Sequence, residues 1–154
     1  MRPLLTALLL CCSTMAQAAI QTREVPYTAA DGTRLVGYHA WDDAISGPRP
    51  GVIVVHEWWG LNDYAKRRAR DLAALGYSAL AVDMYGDGRN TQHPDDAKAF
   101  MNAALADPAI PKARFQAGLD LLKAQPQTDP TRLAAIGYCF GCLLYTSPSP
   151  RDKR

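Results

Sequence analysis

Apolar positions recur along this chain with two different periods. Glu24 to Thr28 and Arg34 to Trp41 are β-branched or aromatic runs around Asp31-Gly32. They predict an antiparallel hairpin, because Asp-Gly supplies a left-handed turn residue at little cost. Gly51 to Val55, Ser78 to Val82 and Arg132 to Ile136 are continuous apolar runs. Runs of this kind suit strands buried on both faces, as in a parallel sheet. Between them the period lengthens to that of a helix. In Asn62 to Leu75, the residues Ala65, Ala69, Leu72 and Leu75 share one face, Asn62 or Asp63 can cap the start, and Gly76 ends the run. The Lys66-Arg67-Arg68 run on that helix reads as a solvated face, with Asp63 and Asp71 within a turn. Pro94 to Leu105 and Pro111 to Ala124 are two further amphipathic helices, the second with Phe115, Leu119 and Leu122 along one side. Asp42 to Pro50, Met84 to Gln92 and Thr128-Asp129-Pro130 are loop or turn segments. The alternation predicts an α/β fold, a mostly parallel sheet with flanking helices and right-handed crossovers.

Ligands of such sheets bind beyond the carboxyl ends of the strands. The three ends are His56-Glu57-Trp58-Trp59-Gly60, Asp83-Met84-Tyr85-Gly86 and Gly137-Tyr138-Cys139-Phe140-Gly141. The last has the form Gly-x-nucleophile-x-Gly directly after a buried-type strand. That is the nucleophile elbow of α/β-hydrolases, with Cys139 in the place of the commoner serine. The turn is tight enough to strain the nucleophile's backbone, and the flanking glycines leave room for the neighbouring strand and helix. An acyl-transfer site of this fold takes one oxyanion N–H from the loop after the first buried strand and one from the residue after the nucleophile. This nominates the backbone N–H groups of Trp58 and Phe140. Glu57, at a strand tip, is placed to activate or orient the thiol. Trp58 and Trp59 are expected to wall a small apolar pocket. His56 is expected to shape the loop or core, not to act as base. The alternatives are a buried structural cysteine at 139 and a surface carboxylate at 57.

His-Glu-x-x-Gly after one strand, Asp-x-Tyr-Gly after the next and Gly-Tyr-Cys-x-Gly after the third resemble the dienelactone hydrolase family over about residues 24–141. The resemblance implies an α/β-hydrolase that opens small lactones or carboxylic esters by attack of Cys139. It implies that Glu57 contacts the thiol and that the Trp58 and Phe140 N–H groups form the oxyanion hole. It adds Trp59, Tyr85 and Arg89 as substrate-binding candidates. In this sequence Gly86-Asp87-Gly88 precedes Arg89, so the arginine that holds a substrate carboxylate is displaced from the family's spacing. No cofactor or metal is implied. The Asp and His that complete the family's triad have no counterpart after Gly141: Asp152 stands alone, and no histidine follows His93. The expectation is the front half of a hydrolase domain, truncated after the elbow, inactive as written and poorly folded because its strands lack later neighbours.

Composition changes the picture only once the ends are set aside. Residues 1–18 read as a signal peptide: Arg2, the apolar stretch Leu4 to Cys12, then Ala16-Gln17-Ala18. The apolar run is too short to span a bilayer, which takes about 20 residues. Residues 142–154 contain two Ser-Pro steps and no helical period, Cys142 to Asp152 resembles a translated sequencing adapter, and the segment reads as a non-native or disordered tail. The formal charge of the 154 residues is +2. Without both ends, 19–141 has one more acidic than basic side chain, so no nucleic-acid partner is expected. The chain has four cysteines; Cys11, Cys12 and Cys142 leave with the ends, and Cys139 alone remains. The expected protein is secreted or periplasmic, free of the membrane after signal cleavage, monomeric, and acts on a small-molecule ester or lactone. Two rivals stand beside it: a non-catalytic α/β-hydrolase-like binding protein, and a redox module built on Cys139-Phe140-Gly141-Cys142.

Overall fold

The hairpin is set by its turn. Gly32 takes φ +81°, its N–H donates to the Ala29 carbonyl at 2.9 Å, and the Asp31 carboxylate accepts from the Thr33 N–H. It joins β1 (Ile20–Thr28) to β2 (Arg34–Asp42). In this computed structural model, which describes residues 19–143, there follow β3 (Arg49–Val55), α1 (Asp63–Ala74), β4 (Ser78–Val82), α2 (Pro94–Leu105), α3 (Ala109–Lys123), β5 (Thr128–Gly137) and α4 (Phe140–Leu143). The signal-peptide segment 1–18, and the tail beyond Leu143, lie outside the described residues.

The sheet order is β1-β2-β4-β3-β5. The three apolar runs pair in parallel, β3 between β4 and β5, and β2 joins β4 antiparallel. The chain leaves β3 for β4 on one side, then returns across β3 to β5 on the other. The strand order therefore reverses at β3, and a crevice opens at the carboxyl end of β3. Alternate residues of each strand face opposite layers. Ile53, Val55, Leu80 and Val82 pack with Ala104 and Leu122 of α2 and α3, against which Phe115 and Leu119 also rest. Val54, Ala79 and Ala81 pack with Ala65, Ala69 and Ala73 of α1. Asn62 caps α1 by accepting the Ala65 N–H at 3.1 Å. Gly76, at φ +91°, ends it, with the Gly76 and Tyr77 N–H groups closing on the Ala73 and Leu72 carbonyls. No described helix is long and apolar enough to cross a membrane.

Five expectations are corrected. Leu75 is not on the buried face of α1; as the helix C-cap it is 75% exposed, and Ala73 takes the inner place. α3 begins at Ala109, ahead of Pro111. β5 is half-exposed instead of buried on both faces, because it is the sheet edge. It also begins at Thr128, within the expected turn. Gly51 pairs with Leu133 while Pro50 pairs with Asp129, so Pro130 to Arg132 bulge outward, pinned by the Asp129 carboxylate on Thr131 and Arg132. Finally, Cys142 and Leu143 belong to the helical turn α4, so non-helical backbone does not start at 142.

Candidate active site

Cys139 carries the strain expected of an elbow. It sits at φ +51°, and it and Asp87 are the non-glycine residues with positive φ among those described. For an L-residue that conformation costs about 1–2 kcal/mol. The turn is held by Tyr138 N–H on the Val55 carbonyl at 3.3 Å, Gly141 N–H on the Tyr138 carbonyl at 2.9 Å, and Cys142 N–H on the Cys139 carbonyl at 3.0 Å. Gly141 is required by space: a Cβ there would lie 2.9 Å from the Val55 carbonyl oxygen. The result is an exposed Cys139 side chain above the ends of β3 and β5.

Beneath it lies an aromatic floor. The rings of His56, Tyr85 and Phe140 meet with centroids 4.8 Å (His56–Tyr85), 5.4 Å (Tyr85–Phe140) and 5.8 Å (His56–Phe140) apart, all three buried. His56 Nδ1 donates to the Glu57 carbonyl, and its Nε2 accepts the Met84 N–H at 3.3 Å. Both nitrogens are thereby used, and burial pushes the imidazole down to about 4. His56 is thus a neutral strut between the ends of β3 and β4, as its sequence position implied, and not a base.

Tyr85 differs from expectation. It is 2% exposed, so it presents no face to a substrate. Its hydroxyl donates to the Trp58 carbonyl at 3.0 Å, and it holds the loop after β3. Burial raises its phenol well above the ordinary value, so the hydroxyl keeps its proton.

Arg89 is exposed and partly engaged with its own loop. Its Nε and Nη2 donate to the Gly86 and Tyr85 carbonyls and its guanidinium lies 5.3 Å over the Phe100 ring, so two of its five N–H groups are used inside the loop. The Gly86-Asp87-Gly88 insertion turns it back on its own backbone.

Glu57 is half-buried at the tip of β3, and its carbonyl also accepts the Gly60 N–H at 3.2 Å. The backbone N–H groups of Trp58 and Phe140 meet no turn or cap carbonyl among the described residues. The two tryptophans do not wall one apolar pocket. Trp58 packs on the core cluster, while Trp59, 4.8 Å away ring to ring, lines an open, largely polar cleft of about 390 Å³ with Asn62, Lys66, Asn90 and Gln92. A larger apolar groove of about 700 Å³ lies between the hairpin end and α3, lined by Tyr27, Ala113 and Leu121 and not by elbow residues.

Two organising residues escaped the sequence. Asp83 is fully buried, and its carboxylate accepts four backbone N–H groups, from Val36, Tyr85, Gly86 and Gly88, at 2.7–3.2 Å. Arg114 of α3 donates to the Met84 carbonyl at 2.8 Å and pairs with Asp31 of the hairpin turn at 3.1 Å. The signal for Asp83 was its place, an aspartate ending an apolar strand before glycines. Arg114 had none. Among the described residues no group of three or more His, Cys, Asp or Glu side chains could hold a metal ion.

A mostly parallel sheet with a strained cysteine turn directly after β5, next to the inner strand β3, defines an α/β-hydrolase-type site. A profile of the Dienelactone hydrolase family matches residues 35–153, and the chain belongs to that family. It is 34% identical over 122 residues to Protein usf of Aquifex pyrophilus, covering 74% of this chain and 49% of that one. Among solved structures, m3DLH is 47% identical with TM-score 0.75, covering 80% of this chain and 51% of the other. A dienelactone hydrolase-like promiscuous phosphotriesterase from metagenomic libraries is 46% identical with TM-score 0.77, covering 86% and 56%. The chain thus spans about half the length of the relatives it matches.

Proposed function

We propose that Cys139 is the nucleophile of an exported hydrolase acting on small lactones or carboxylic esters. Sγ bonds to the acyl carbon, the carbonyl electrons move to oxygen, and the Trp58 and Phe140 N–H groups receive that oxyanion. Collapse expels the alcohol oxygen, which leaves with a proton, and water then cleaves the thioester. Glu57 orients the thiol, and Trp59 borders the substrate. The observation that carries this reading is the positive φ of Cys139 at the tip of β5, beside β3.

The base that resets the cycle has no candidate among the described histidines near the elbow, because His56 is used as a strut. The 154-residue chain is therefore expected to acylate without turning over. The matching test is incubation with p-nitrophenyl acetate, followed by peptide mass spectrometry. One acetyl group on the Cys139 peptide, absent in urea, with background steady-state rates, supports the reading. Sustained turnover that disappears in Cys139→Ser would overturn the inactivity. Acetyl groups only at other residues would overturn the nucleophile. Export is tested separately, by sequencing the mature N-terminus, which should begin at Ala19. The protein should elute as a monomer and bind neither nucleic acid nor vesicles.

A further inference from the structure

The elbow is anchored from both faces of the sheet, by the residues on either side of the cysteine. Phe140 drops onto the His56–Tyr85 floor. Tyr138 goes to the opposite layer, where it joins the cluster of α1. There its hydroxyl accepts the Arg68 Nε–H at 2.9 Å. Its ring meets the edge of Tyr64 at 5.6 Å and 78°. Arg68 is itself tied to Asp71 at 3.2 Å, with its guanidinium carbon 5.7 Å from the Tyr138 ring centre. The helix that presents Arg68 cannot shift easily, since Ala65, Ala69 and Ala73 press it onto the sheet with at most 1% exposure. By contrast the elbow hangs from an edge strand and runs into a helix of four residues.

We propose that Arg68 and Tyr138 are positioning residues that hold Cys139 in its left-handed conformation. This rests on the nucleophile reading above. The physical argument is local. A residue at φ +51° relaxes to ordinary backbone unless its neighbours are fixed, and relaxation turns the sulfur away from the strand ends. Phe140 fixes one neighbour through packing. Tyr138 is held by its backbone bonds in the turn and by packing on Tyr64 and the α1 cluster, and the Arg68 hydrogen bond is what ties its ring to the helix by a cationic donor, so the elbow's geometry responds to that bond. The Lys66-Arg67-Arg68 run is therefore not solely a solvated face.

The test is the second-order rate of iodoacetamide alkylation at Cys139, read by peptide mass spectrometry on the full chain. Arg68→Gln, Tyr138→Phe and the double variant are compared with the unmodified sequence. Loss of a bond of this kind is worth about fivefold or more. Each single variant should slow Cys139 by that factor, and the double variant no further. Arg68→Lys should recover part of the rate. Amide exchange in α1 and β3 should stay unchanged, which a general structural role for Arg68 would not predict. Unchanged Cys139 reactivity in Tyr138→Phe, or effects that multiply in the double variant, would overturn the proposal. Should Arg68→Gln fail to fold, Tyr138→Phe decides alone, since it keeps the ring. If Cys139 takes no acetyl group from the ester yet alkylation slows in both variants, the nucleophile reading fails and the clamp stands.

Discussion

Tyr85 Oη donates to the carbonyl oxygen of Trp58 at 3.0 Å, joining the loop after β4 to the loop after β3 beneath the elbow. A carbonyl fixed on one side of a peptide unit fixes the N–H groups around it. Tyr85→Phe keeps the ring and its contacts with His56 and Phe140. It should cost about 1 kcal/mol of stability and slow acetylation of Cys139 by p-nitrophenyl acetate. Urea melts and the rate of acetyl-peptide formation measure the two effects; acetylation at the parent rate would show that the loop holds itself.

Cys139 pays for its conformation, so its replacement should reveal the strain. Cys139→Gly should be about 1 kcal/mol more stable than Cys139→Ala, because glycine enters the left-handed region without the Cβ clash. Denaturant midpoints of the two variants give the difference. Both should lose ester-derived acetylation at this position.

Gly141→Ala should be strongly destabilising for the opposite reason. The new Cβ would lie 2.9 Å from Val55 O and 3.0 Å from Val55 Cβ, a strand atom that cannot move aside. Overpacking of this kind costs about 1–3 kcal/mol. Thermal melting should show it, with the loss concentrated at the β3–β5 end in amide exchange.

Asp83→Asn should be the most damaging single-atom change at the site. The carboxylate oxygens serve four N–H donors, and an amide nitrogen would face donors in place of an acceptor. The expected loss is about 3 kcal/mol or more. A midpoint shift under 1 kcal/mol would mean that the Tyr85–Gly88 loop is held elsewhere.

Acid should weaken the fold through two histidines. Burial holds both His39 and His56 down to about 4, from an ordinary value near 6.5. His39 Nε2 is bonded to Ser78 Oγ at 2.8 Å. The unfolded chain takes up protons below about pH 6.5 that the folded chain refuses until about pH 4. Stability should thus be level above pH 7 and fall steadily as pH drops through that window. Urea midpoints at pH 7.5, 6, 5 and 4.5 test it, and His39→Gln should flatten the slope.

The sequence announced those elements whose signal is periodic or stereochemical. Asp31-Gly32 named its turn, and Gly51 to Val55 its buried strand. Gly137 to Gly141 named the elbow, since few other turns need that pattern. What stayed hidden depended on third parties. Tyr85 looked like a substrate contact because its position is right; only the fold reveals that Trp58's carbonyl lies within reach of its hydroxyl. Arg89 was judged by spacing, while its hydrogen bonds to the Tyr85 and Gly86 carbonyls depend on loop conformation. The burial of β5 was overestimated because an apolar run does not record whether its second neighbour is present. Leu75 followed the helical period one step past the cap.

The strand order also sets a timetable. β3 acquires β4 as soon as α1 is made, but its other edge waits for β5, whose first residue comes more than 70 residues later. During synthesis at about 5–20 residues per second, the hydrophobic ends of β3 stand ready for seconds before the elbow arrives. The turn that carries Cys139 is therefore the last part of the described sheet to be put together. A nascent chain carries the loop after β3 first and gains the Cys139 turn only once β5 has paired with β3.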